Sequence, residues 1–184
     1  MTPKKTVRKN DEPKASRPHM PGYGLPKGTK GLLPWRWAEQ RLTKSHNYWI
    51  TTVKADGSPH TMVVWGLWRN GTFLFSTGRQ SRKSRNLEKN RDCVVCTELA
   101  REAVIIEGIA EETPDVALRR DFLKRTERKY KFDMSGFESD ILSSKEPIFA
   151  VRPRVVFGLD EKRSLNSATR WRFAHAFDKF RDKV

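Results

Sequence analysis

A mainly β fold of the α+β kind, a small antiparallel barrel with peripheral helices, is what this sequence predicts. Three observations lead there. Six or seven short segments rich in Val, Ile, Phe, Trp and Thr follow one another between residues 48 and 160. Turn signals such as Asp56-Gly57 and Asn70-Gly71 join neighbouring segments as antiparallel hairpins. Only a few helical stretches lie between them, which favours a barrel over a βαβ sheet.

The elements follow in order. Residues 1–30 hold five of the ten prolines, with eight basic residues against two acidic ones. Such a segment buries little and reads as a basic tail without regular structure, leaving residues 31–184 as one domain. Trp35 to Lys44 reads as a helix, with Pro34 at its first turn and Trp35, Ala38 and Leu42 on one apolar stripe. Tyr48 to Lys54 is the first strand, and His60 to Trp68 reads as one long strand. Thr72 to Thr77 is the third. A short basic helix opens near Ser81. Cys93 to Glu98 and Ala103 to Glu111 are further strands. Thr113-Pro-Asp115 reads as a helix start, with Thr113 as cap, and that helix runs to about Tyr130. Pro147 to Val151 and Arg154 to Asp160 read as two closing strands separated at Pro153.

Composition narrows the class. The 184 residues carry a formal charge of +15, and 36 % are hydrophobic. Ten Phe, six Trp and three Tyr are too many aromatics for a wholly disordered chain. No apolar run approaches the ~20 residues of a membrane helix, and no secretory signal is visible, so a cytoplasmic protein without membrane contact is expected. The two cysteines, Cys93 and Cys96, have C-x-x-C spacing. On a strand, positions i and i+3 face opposite ways, so they cannot share a metal or close an unstrained disulfide. His19, His46, His60 and His175 show no ligand spacing, and no metal is expected.

The segment Phe75-Ser-Thr-Gly-Arg-Gln-Ser-Arg-Lys-Ser-Arg-Asn-Leu87 carries most chemical information. A strand ends in Ser76 and Thr77, a glycine turn follows, and a helix opens on Ser81 with Arg82 and Lys83 in its first turn. Cations there oppose the helix dipole, which favours negative charge at that end. An anion docked at the helix start would meet backbone N–H groups, hydroxyls and two cations together. A plain solvated basic helix is the alternative reading. The preceding strand, with Thr61 to Trp65, offers an apolar wall suited to a planar ring bearing a phosphate tail, or simply to a buried barrel strand.

From about Trp35 to Phe173 the chain resembles the pyridoxamine 5′-phosphate oxidase-like split-barrel family, the flavin/deazaflavin oxidoreductase superfamily. The resemblance is carried by the hairpin at Asp56-Gly57-Ser58-Pro59, the strand Thr61-Met-Val-Val-Trp65, Phe75-Ser-Thr with Ser81-Arg-Lys, Val104 to Ala110, and Ser167 to Phe173. It implies a homodimer of six-stranded split barrels with FMN, or a 5-deazaflavin coenzyme, in the dimer groove. It implies that Ser81, Arg82 and Lys83 bind the cofactor phosphate and that Ser76 and Thr77 touch its phosphoribityl chain. Thr61, Met62, Val63, Val64 and Trp65 match the strand beside the isoalloxazine edge. Trp171 and Arg172 match C-terminal positions supplied by the second subunit. The oxidase itself has Arg where this chain has Thr61 and Lys where it has Gly66, so the resemblance does not assign pyridoxamine phosphate as substrate. An oxidoreductase is implied, with a non-catalytic cofactor carrier as the alternative.

Other features read more plainly. His60 is expected at the surface, and Glu107 facing outward. Arg119 to Lys131, with seven basic and two acidic residues, reads as a solvated helix face. A net charge of +15 is also the footprint of a nucleic-acid binder. The charge is spread over four segments and no nucleic-acid motif accompanies it, so nucleic acid is not expected as the main partner.

Overall fold

The computed structural model describes residues 12–173. Nine strands are present: β1 (Lys14–Ser16), β2 (Tyr48–Val53), β3 (Pro59–Val64), β4 (Leu67–Arg69), β5 (Thr72–Ser76), β6 (Asp92–Thr97), β7 (Glu102–Glu112), β8 (Ile148–Asp160) and β9 (Thr169–Arg172). The helices are α1 (Trp35–Lys44), α2 (Arg82–Lys89), α3 (Val116–Tyr130) and α4 (Ser135–Leu142). A 3₁₀ segment, Glu161–Ser167, leads into β9. All strand pairs are antiparallel, in the order β1-β9-β8-β7-β6-β2-β3, with β5 also on β8 and β4 on β5. The architecture is a mainly β split barrel with helices at its periphery.

β8 is the spine. One edge pairs with β7 along its whole length. The other edge is shared, with β5 on Ile148 to Val151 and β9 on Val155 to Gly158. Sharing one strand between two partners is what splits the barrel. The strand does not break at Pro153, contrary to the expectation of two strands. Its register against β7 shifts between Glu107 and Gly108, opposite Val155 and Pro153. Such a bulge tolerates a proline, which has no N–H to give the ladder. A Cβ on Gly108 would stand 2.5 Å from the Arg152 carbonyl oxygen, so the close approach there requires glycine.

The barrel interior is filled by alternate residues of the strands, among them Tyr48, Ile50, Phe73, Phe75, Val95 and Ile106, all fully buried. Helix α1 lays Trp35, Ala38 and Leu42 on this core, as its spacing predicts. A second, smaller core lies under α3 and α4 and contains Leu67, Leu74, Phe122, Leu123 and Ile141.

Several expectations are corrected. The predicted strand His60 to Trp68 is two strands, because β3 ends at Val64 and β4 begins at Leu67. A Cβ on Gly66 would lie 2.2 Å from the Phe73 ring, so the chain turns there on a residue without a side chain. Within the tail expected to lack regular structure, Lys14–Ser16 forms a strand. Lys14–Ser16 pairs with β9, and the Arg17 guanidinium donates to the carbonyls of Gly28, Lys30, Asn166 and Ala168 at 2.6–3.3 Å. The cap of α3 is Asp115, not Thr113. Its carboxylate accepts from the Ala117 and Leu118 amides at 2.8 and 3.1 Å. Helix α4 was not legible in the sequence. Arg119, assigned to a solvated face, is fully buried. Residues 1–11 and 174–184, parts of the tail and domain assignments, lie outside the described residues. Among the described residues no helix is long and apolar enough to cross a membrane.

Candidate cofactor site

The segment joining β5 to α2 is built as the sequence suggests. Ser81 caps α2 in an extended conformation, its Oγ accepting from the Ser84 amide at 3.2 Å. Thr77 Oγ1 lies 3.1 Å from Ser81 Oγ, and Ser76 Oγ donates to the Pro147 carbonyl at 3.0 Å. The first turn of α2 contains no acidic residue. Arg82 is exposed and Lys83 half-buried. Among the described residues neither takes part in an ion pair. Burial lowers the Lys83 ammonium pKa. His60, at the start of β3, is lowered by burial and then by the nearby positive charges of Arg82, Lys83 and Lys54. Positive charge therefore gathers between the start of β3 and the start of α2. A cleft of about 460 Å³ continues past it, lined by Lys54, Asp56, Arg82, Arg85, Glu88 and Lys89.

The loop carrying these groups is held from outside by Arg79. Its guanidinium donates to both Glu112 carboxylate oxygens, at 2.7 and 3.1 Å, and to the carbonyls of Ser144 and Lys145 at 2.8 Å. The Arg79 amide donates to Glu146 at 2.6 Å. These bonds to Glu112 raise the Arg79 pKa. Glu112 also meets Arg119, which donates to the carbonyls of Thr113, Ile141 and Glu146. Behind α2, buried Asn86 donates to Thr52 Oγ1 of β2 at 2.9 Å. Sequence reasoning missed Arg79, Asn86 and Arg119. Their partners are 27 to 67 positions away or more local carbonyls, which no motif records.

β3 is an edge strand. Val64 is buried, but Met62 (47 % exposed), Val63 (43 %) and Trp65 (39 %) are not, and Thr61 is exposed with its hydroxyl 2.8 Å from that of Thr51. The expectation of an apolar wall holds for its composition, and the reading of a strand buried on both faces does not. On the outer sheet face beside it, Trp49 is exposed and Val94, Cys96, Ile105 and Ile109 are half-buried, with Glu107 exposed among them. Cys93 faces the interior, opposite to Cys96, and burial pushes its thiol up to about 12. Both readings of the cysteines and of Glu107 agree with this geometry. Among the described residues no group of His, Cys, Asp and Glu could hold a metal ion.

Beyond Trp65 the chain meets α3. The Trp65 ring stacks on Tyr130 with centroids 4.3 Å apart and planes 9° from parallel. Tyr130 Oη accepts from the Gly66 amide at 2.8 Å and lies 2.8 Å from the His46 carbonyl. Lys129 Nζ donates to Tyr48 Oη and to the Gly66 carbonyl, both at 2.9 Å. Burial lowers its pKa to about 8. The sequence singles out Trp65 but not Tyr130 or Lys129.

The C-terminal candidates separate. Arg172 is exposed on β9. Trp171 is fully buried in the core of its own barrel, 5.4 Å from Trp35. A Cβ on Gly158 would touch its ring at 2.7 Å, so the ring fills that space closely. The expectation that Trp171 is offered to a second subunit is therefore corrected: packing within the chain uses the ring up.

A split barrel with a basic, hydroxyl-rich strand-to-helix loop beside an open edge strand defines the class of protein. The model of the family described as pyridoxamine 5′-phosphate oxidase matches residues 37–159, more than half of the chain, and the chain belongs to that family. Among solved structures, it is similar to a conserved hypothetical protein, Rv2991, of Mycobacterium tuberculosis, with a TM-score of 0.64 and 17 % identity over 75 % of this chain and 91 % of that one. An F420 reductase matches with a TM-score of 0.53 and 20 % identity, over 64 % of this chain and 94 % of that one. A FAD-binding protein of Mesorhizobium loti matches at 0.54 and 18 %, over 75 % and 94 %. A comparison with curated proteins found no match.

Proposed function

We propose that the protein is an oxidoreductase that binds FMN or a 5-deazaflavin coenzyme and works as a homodimer. The observation that carries this reading is the start of α2: two cations without acidic partners, a hydroxyl cluster, and free first-turn N–H groups at one point. The donor set fits a phosphate. Ser81, Arg82 and Lys83 would hold it, and Ser76 and Thr77 would border the chain that follows. β3 runs about 17 Å from Pro59 to Val64, so a ring carried along it would reach the backbone near Trp65. A flavin supplies hydride transfer when bound, and the chain's residues bind and orient it. The chain's membership in its family and its likeness to a protein named F420 reductase support this reading.

The homodimer is proposed from the outer sheet face. Trp49, Val63, Val94, Cys96, Ile105 and Ile109 form an apolar surface that no helix among the described residues covers, next to the open edge of β3. A second copy placed there would close the groove.

The test is titration of FMN and of the deazaflavin into the purified protein, followed by absorbance and sedimentation. Tight uptake of one of them by a dimer is the expected result. A protein that takes up neither, or a monomer that binds with full affinity, would contradict the reading.

A further inference from the structure

We propose that Trp65, Phe132 and Phe137 form the substrate wall of this site, and that the substrate presents a planar, uncharged aromatic ring. The inference rests on the function proposed above. Three large aromatics stand exposed together: Trp65 at 39 %, Phe132 at 43 % and Phe137 at 49 %. The rings of Trp65 and Phe132 meet edge to face at 5.4 Å, and those of Phe132 and Phe137 are 6.2 Å apart. A contiguous aromatic surface on so charged a chain is a recognition surface by default.

The Trp65 part of the wall is anchored by the chain's own contacts. Trp65 is backed by the parallel Tyr130 ring. Tyr130 is fixed by the Gly66 amide and by the His46 carbonyl, and Lys129 ties the Gly66 carbonyl to Tyr48. The outer Trp65 face is thus preorganised for stacking, which lowers the ordering cost of binding.

Its position and charge choose the occupant. Trp65 directly follows β3, at the end far from His60 and the Arg82–Lys83 cluster, so the wall borders the place where the ring end of the cofactor would lie. The Lys129 ammonium beneath it is already engaged by two acceptors, and the neighbouring Lys131 and Asp133 are of opposite sign. The wall thus carries no paired cations like Arg82 and Lys83, and its rings favour a flat, uncharged partner. A second copy has the broader apolar sheet face available.

The probe is 2-naphthol, compared by calorimetry with pyridoxamine 5′-phosphate, on protein with and without bound flavin. Phe132→Leu and Phe137→Leu keep apolar volume and remove the ring. Each is expected to weaken 2-naphthol binding about three- to tenfold, the scale of one aromatic pair, while flavin affinity is unchanged. Tyr23→Ala, at an exposed aromatic elsewhere, is expected to change nothing. Unaltered 2-naphthol affinity in both Leu variants overturns the proposal, as does tighter binding of pyridoxamine 5′-phosphate than of 2-naphthol. Loss of self-association in the Leu variants also overturns it, since the wall then belongs to an interface between copies. A protein that takes up no flavin sinks the functional reading, and the flavin-free titration still decides the wall.

Discussion

Two helices of this molecule begin in opposite ways. α3 starts on Asp115, whose carboxylate accepts from two first-turn amides, so the positive end of the helix meets an anion of the chain itself. The cation in that region, Arg119, is buried against three carbonyls and Glu112. α2 starts on Ser81, which satisfies one amide, and its first turn then adds Arg82 and Lys83, neither of which is in an ion pair among the described residues. One helix start is electrostatically complete within the chain. The other has no carboxylate of the chain bonded to it, and on the function proposed above the cofactor phosphate would complete it. Arginine in the first turn or just beyond it is then structural in one case and ligand-binding in the other, and only the partners distinguish them.

The contrast can be broken at each of its parts. The largest effect is expected at Arg119. Arg119→Leu leaves the buried Ile141 carbonyl and the part-buried carbonyls of Thr113 and Glu146 without this donor, and each acceptor left unsatisfied costs about 1–3 kcal/mol. Urea denaturation of the variant is expected to show a loss of that order; a loss below about 1 kcal/mol would mean the network is dispensable.

Next come Arg82→Ala and Lys83→Ala. On the function proposed above, each would remove a charge-assisted bond to the cofactor phosphate, worth about 1.5–3 kcal/mol, so flavin affinity is expected to fall roughly tenfold to a hundredfold. The melting temperature of the cofactor-free variants is expected to stay the same or rise slightly, since a cation has left the positive end of a helix. If cofactor-free Arg82→Ala melts far below the parent, the two helix starts are not different in kind.

Asp115→Ala is the reciprocal change. It removes an anion from a helix start that has one, and a loss of about 1 kcal/mol is expected by thermal melting, with flavin affinity untouched.

The smallest effect concerns a third cation, Lys129, which is neither tied to a carboxylate nor open to a ligand. Its folded pKa of about 8 lies below the ordinary lysine value, because burial disfavours the charge. Between those two values the unfolded chain binds more protons at this group, so the Lys129 contribution to stability is expected to grow with pH from about 8 upwards. Lys129 is only partly buried, and solvent screening holds the gain below about 1 kcal/mol. It is read as the difference between the parent and Lys129→Met in a series of melts from pH ~7.5 to ~10, because Cys93 and Cys96, held protonated by burial, lose stability above the ordinary thiol value, and Tyr48 and Tyr130 above the ordinary tyrosine value. The parent is expected to gain on the variant across that range; a constant difference means that Lys129 does not carry the effect.

Local signals in the sequence were sufficient where local physics decides. The stripe Trp35, Ala38, Leu42 and the turn Asp56-Gly57 announce α1 and the β2–β3 hairpin. The fold class and the Ser81-Arg82-Lys83 loop were legible on the same terms. What stayed hidden depends on partners far along the chain. The break at Gly66 is caused by the Phe73 ring, and the continuity of β8 by a bulge opposite Gly108. Trp171 was readable as an aromatic near the C-terminal end but not as the plug of its own barrel. Arg119 and Lys129 sit on a helix whose composition reads as solvated, and their burial comes from α4 and the β3–β4 bend packing over them.

The pairing of β1 with β9 has a consequence for how the protein is made. Lys14 lies opposite Arg172, and Arg17 grips the Asn166 and Ala168 carbonyls. Segments some 150 positions apart therefore form one seam. During synthesis the early half of that seam emerges long before its mate, and its backbone donors wait on the ribosome-bound chain until residues 166–172 appear. The seam is the last part of the sheet to form on a growing chain, and a nascent protein halted before Thr169 carries β1 as an unmatched strand edge, open to pairing with another chain.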